Sequence, residues 1–96
     1  MTEVEQRILE SSFMDSTRNL QFDEAEYENL LLDIRELAKT WAKQESVSKR
    51  VMADLFLIPS VLRGSAHRLH GSGLSDRMLD AADELETEIL ACLLPE

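Results

Sequence analysis

Between Phe22 and Lys43 three independent signals agree on one long helix. Apolar Tyr27, Leu30, Leu31, Ile34, Leu37, Ala38 and Trp41 recur at a spacing near 3.6, which one helical face collects and a strand scatters. Asp23 is placed as an N-cap with Glu26 at N3, and Phe22 is placed to staple onto Tyr27 at N4. Glu24 and Glu28 sit at the positive end of the helix dipole, and Lys39 and Lys43 at the negative end. The predicted helix runs over 24–43. Leu32 alone disobeys, projecting about 160° from Ile34 onto the polar side.

The rest of the chain follows the same period. Only three Gly and two Pro occur in 96 residues, which favours a few long helices over many short strands. Thr2 with Glu5 is a capping box for a first helix over 3–14, and the polar, cap-rich stretch 15–21 reads as a connection. Ser46 or Ser48 caps a third helix with the stripe Val47, Val51, Leu55 and Ile58. Met52, Phe56 and Leu57 spread apolar groups around it, so it reads as the innermost element. Pro59 kinks or splits that helix, which continues to a terminus at Gly71. Ser75 is read as the cap of the last helix, with Met78, Ala82, Leu85, Ile89 and Cys92 or Leu93 inward and Pro95 as its stop. The expected fold is all-α: a small antiparallel bundle of four helices in a single domain, residues 1–96, with five segments if Pro59 splits the third.

Charge narrows the function classes. The formal net charge is -9, but its distribution is uneven. Residues 1–33 carry nine acids against Arg7 and Arg18, and residues 76–96 carry seven acids against Arg77. Between them, residues 34–75 hold seven bases against Glu36, Glu45 and Asp54. Outer acidic helices lying beside a basic middle can screen it. Direct nucleic-acid binding is not expected of so acidic a chain, because phosphates repel it. Acids at Glu24, Glu26 and Glu28 and from Asp76 to Glu88 also admit a nucleic-acid-mimicking inhibitor. The single Cys92 forms no internal disulfide, and the sequence shows neither a signal peptide nor an apolar run of about eighteen residues. A reducing, cytoplasmic setting without membrane contact is expected.

The stretch Ala66-His67-Arg68-Leu69-His70-Gly71-Ser72 resembles the Ala-His-x-Leu-Lys-Gly-Ser signature of histidine phosphotransfer domains, which are acidic helical bundles. That resemblance implies His67 as phosphoacceptor and a response-regulator receiver as partner. The sequence departs from the pattern where His70 replaces the lysine, and 23 residues follow Gly73. The plainer reading has His67 and His70 ending the helix, where a cationic imidazole suits the negative end of the dipole. Spaced i, i+3, the two imidazoles can also share a metal with Cys92 or a carboxylate, but no Glu-x-x-His pair recurs on two helices. No Gly-x-Ser-x-Gly, phosphate loop or paired-cysteine motif occurs, and Cys92 lies on an apolar stripe. No enzyme activity, metal or cofactor is expected.

What remains is a surplus of apolar positions. Leu32, the all-round third helix, and Leu79, Leu90 and Leu94 at the margins of the last exceed what one small bundle hides. The expected function is therefore that of a non-enzymatic interaction protein of the bacterial or phage kind. It would be an adaptor, inhibitor or immunity-type binder that occludes a partner with a basic surface and forms a homodimer. Glu28, Leu32 and Glu36 of the second helix, and Asp80, Asp83 and Glu84 of the last, are the expected partner-binding residues.

Overall fold

The computed structural model describes residues 2–94, so Pro95 lies outside the described residues. Five helices follow one another: α1 (Glu3–Leu9), α2 (Phe13–Arg18), α3 (Glu24–Trp41), α4 (Lys49–Arg68) and α5 (Gly73–Leu93). The all-α bundle measures 42 × 22 × 20 Å, with no strand among the described residues. Its three long members are the predicted ones.

Local signals set most of the boundaries. The Thr2–Glu5 capping box forms as read, and the Asp23 carboxylate accepts from the Glu26 amide at 3.1 Å. Phe22 staples onto Tyr27 with ring centroids 5.3 Å apart. At α4 the cap is Ser48, whose hydroxyl accepts from the Val51 amide at 3.3 Å. At α5 the cap is Ser72 rather than Ser75, and its Oγ accepts from the Ser75 amide at 3.0 Å. Ser75 instead closes the α4–α5 hairpin by donating to the Ala66 carbonyl at 2.8 Å. Gly71 takes φ +83° in this turn, a conformation that L side chains resist.

The first predicted helix is broken. α1 stops at Leu9 and α2 begins at Phe13, inside the span expected as one helix and running into the expected connection. Six residues are too few to hold a helix by propensity, so packing supplies the stability. Phe13 and Thr17, one turn apart, are both buried, and Phe13 meets the Phe22 ring edge-on at 5.5 Å. The bundle keeps four corners, with α1 and α2 together filling the first. Pro59 makes no break: α4 runs through it with one backbone hydrogen bond fewer, and the ring is buried.

Helices α3 and α5 run parallel, with Glu24 beside Arg77 at their starts and Trp41 beside Cys92 at their ends. α4 runs opposite to both, placing Arg63 beside Asp83 and Glu86. α5 packs against both α3 and α4, whereas α3 and α4 lie on a diagonal bridged by α1 and α2. α4, expected innermost, packs on α1, α2 and α5 but not on α3, and beside it runs α5. Its Ala81 and Ala82 sit in the core, and their small side chains let neighbours approach. α4 keeps Phe56 and Leu57 about half exposed. Tyr27, Ile34, Leu37, Leu55, Leu62 and Leu85 are fully buried, each worth about 1.5–3 kcal/mol of apolar transfer.

Ion pairs tie the helices together, those of Arg7 and Arg77 coming from the acidic outer segments. Arg7 of α1 reaches Asp33 at 3.1 Å and Glu36 at 2.6 Å on α3. Arg35 reaches Glu88 at 3.2 Å, and Arg77 grips Glu24 through two contacts of 2.8 and 2.9 Å. No helix of the described residues is long and apolar enough to cross a membrane.

Candidate functional site

Among the described residues a concave feature lies between α1 and α3, an open groove of about 480 Å³. Arg7, Glu10 and Ser11 form one wall, and Glu26, Leu32 and Asp33 the other. The groove exists because α1 ends early: the chain turns away after Leu9 and leaves the outer flank of α3 uncovered. Leu32, the residue off the core stripe, is 59% exposed on this flank. Glu26 Oε2 is shielded from solvent and has no hydrogen-bond partner among the described residues. A shielded carboxylate oxygen without a donor carries a desolvation cost that an incoming cation or amide would relieve.

The six expected binding residues divide among different environments. Glu28 and Glu36 flank Leu32 one turn to either side, and both are exposed. Glu36 is engaged by Arg7, whereas Glu28 makes no ion pair among the described residues. On α5, Asp80 is exposed and Asp83 accepts from Arg63 at 3.0 Å. Glu84 accepts from the Tyr27 hydroxyl and so ties α5 to α3. Asp83 turns toward α4 and Glu84 toward α3, so the set does not form one patch.

Of the nine acids considered for nucleic-acid mimicry, four are ion-paired within the chain: Glu24 by Arg77, Asp83 and Glu86 by Arg63, and Glu88 by Arg35. Arg77 also holds the Glu24 carboxyl below its ordinary range.

His67 is exposed in the last turn of α4, and His70 in the turn that follows. The adjacent cation, Arg68, points away and donates to the Arg18 carbonyl at 3.0 Å. Both imidazoles sit at the end of the bundle opposite Cys92, so a shared His–His–Cys metal sphere is geometrically excluded. The Cys92 thiol is buried beside α3 and donates to the Ile34 carbonyl at 3.4 Å. Burial, aided by the charge of Glu88, pushes its pKa up to about 11.

Two features were missed in the sequence. The α1 wall of the groove depends on where α1 stops, which tertiary packing decides. The second is a group of cations, Lys39, Lys43, Lys49 and Arg50, gathered at the end where α3 finishes and α4 starts, with no ion-pair partners among the described residues. The sequence did show a mismatch there, since Lys49 and Arg50 occupy the first turn of α4 against its dipole.

The chain matches no protein-family model, no curated protein and no solved structure.

Proposed function

We propose that this chain is a small non-enzymatic binding protein, an adaptor or inhibitor that acts by occlusion. Its α1–α3 groove takes a basic segment of a protein partner, one with an aliphatic side chain for Leu32 and a Lys or Arg for Glu26. The observation that carries this reading is the exposed Leu32 beside the donor-less Glu26 oxygen. An apolar anchor in a groove supplies affinity, and surrounding carboxylates select a cationic neighbour and speed its approach. Glu10 on the groove wall and Glu28 one turn from Leu32 make the local field acidic, in keeping with the net charge of -9.

The test is a photo-crosslinking amino acid placed at Leu32 and, as a control, at the exposed Ala91 of α5. The expected result is one adduct in the native cell from position 32 alone, mapped to a Lys- or Arg-bearing segment, and weakened by Glu26→Gln and by salt. Equal labelling from both positions, or an adduct indifferent to Glu26 and salt, overturns the reading.

A further inference from the structure

A second surface lies on the other side of the molecule. The outer face of α4 presents Ala53, Phe56, Leu57, Ser60 and Gly64 to solvent. Phe56 and Leu57 are 46% and 47% exposed. Leu90 of α5 joins them by register: Arg63 pairs with Asp83 and Glu86, Phe56 lies two turns before Arg63, and Leu90 one turn after Glu86 on the antiparallel neighbour. Gly64 stands in mid-helix, where a Cβ would meet nothing within 4 Å. Nothing within one copy requires a glycine there, and glycine weakens a helix relative to alanine.

The charges along this face are polarised. Lys49 and Arg50 lie at its start without ion-pair partners among the described residues, and near its far end Asp76 and Asp80, likewise unpaired among them, outnumber the exposed and unpaired Arg68. The two ends of the bundle are separated by most of its 42 Å length, several times the screening distance of about 8 Å in physiological salt. The start therefore presents positive charge to a neighbour and the far end an excess of negative charge.

We propose that this face is the two-fold interface of a homodimer, with α4 packed antiparallel on α4 of a second copy about an axis beside Ser60. The arrangement follows from the residues. Leu57 precedes Ser60 by three positions and Gly64 follows it by four, so the rotation sets the large side chain of each copy against the glycine of the other. Ser60, small and central, allows the helices to approach. The same rotation brings Lys49 and Arg50 of one copy beside the α5 start of the other, with its Asp76 and Asp80. Parallel stacking would set like ends together. A seam along a helix of about 30 Å, with the edge of α5, buries on the order of 600 Å² per copy, the lower bound of stable interfaces. Such a dimer leaves the α1–α3 groove open, so this inference stands apart from the proposed partner site.

The test is sedimentation velocity on the whole chain up to about 100 µM, a range that detects a micromolar dimer. The expected result is a reversible dimer that dissociates as salt rises. Gly64→Leu is expected to weaken it at least about tenfold while keeping or raising the melting temperature, since the added side chain meets open space and favours helix. That combination separates a lost interface from a lost fold. Ser60→Cys is expected to give a disulfide-linked dimer on oxidation, whereas Ala25→Cys on α3 is not. A chain that stays monomeric throughout overturns the proposal, as does a dimer unmoved by Gly64→Leu. Crosslinking from position 32 in the Gly64→Leu variant reads the groove separately.

Discussion

The hydroxyl of Tyr27 on α3 donates a hydrogen bond to the carboxylate of Glu84 on α5, from a ring with no exposed surface. Burial, followed by the hydrogen bond to Glu84 and its negative charge, pushes the phenol pKa well above its ordinary value. The neutral phenol is the form the fold favours. Its stabilisation is therefore complete below the unfolded pKa of about 10 and is lost as pH rises beyond it. As Tyr27 is the only tyrosine, phenolate absorbance reports this site alone. The expected outcome is a phenol that ionises only together with unfolding, at a pH above about 10. Tyr27→Phe is expected to remove this alkaline instability and to cost about 1 kcal/mol at neutral pH through the lost hydrogen bond.

Leu20 holds φ +61° just after α2. Its amide donates to the Thr17 carbonyl at 2.9 Å and the Gln21 amide to the Ser16 carbonyl at 3.0 Å, the paired bonds of a Schellman turn. Glycine usually occupies this position because a Cβ crowds the following carbonyl. Leu20→Gly is expected to stabilise the protein by about 0.5–1 kcal/mol, read as a higher urea midpoint with unchanged slope. A lower midpoint would mean that the leucine side chain contributes more than its backbone strain costs.

The fold was legible where several local signals coincided. Asp23, Phe22 and the Tyr27-to-Trp41 stripe fixed α3, because a cap, a staple and a period each depend on near neighbours only. The break after Leu9 was hidden, since α2 forms by docking Phe13 against Phe22 and Tyr27 and carries no side-chain cap of its own. On α4, counting apolar residues could not say which of them meet a neighbour. The diagonal placement of α3 and α4 leaves Phe56 and Leu57 outside. Of the candidate groove, Leu32 could be read as a residue off its stripe. The opposing wall could not, because it requires knowing where α1 turns.

Cys92, the only cysteine, offers a direct probe of core opening. Its thiol is buried and its pKa is raised to about 11, so native protein holds almost no thiolate near neutral pH. Labelling by a thiol-specific disulfide reagent is expected to be negligible in buffer and rapid in denaturant. Because the raised pKa favours the neutral thiol, its contribution to stability is retained below the unfolded value of about 8.5 and declines above it. Fast labelling of the folded protein would place the end of α5 out of contact with Trp41.

Arg77 joins the start of α5 to the start of α3 in two ways. Its guanidinium binds both oxygens of Glu24, and its Cζ lies 4.8 Å from the Phe22 ring centroid and 4.9 Å from that of Tyr27. The ion pair faces water, so screening limits its worth, while the stacked guanidinium also covers the aromatic cluster. Arg77→Ala is expected to cost about 1–2 kcal/mol, the sum of a weak pair and two cation–π contacts. Arg77→Lys should recover less than half of this, because an ammonium cannot make the two-point contact or lie flat on the rings. The Glu24 carboxyl, held below its ordinary range, makes the pair sensitive to acid: its contribution is present above the unfolded pKa and lost as pH falls through the lower folded value. A double-mutant cycle of Arg77→Ala with Glu24→Gln, run at neutral and acid pH, separates the two parts. The coupling should vanish in acid, and the loss from uncovering Phe22 and Tyr27 should persist.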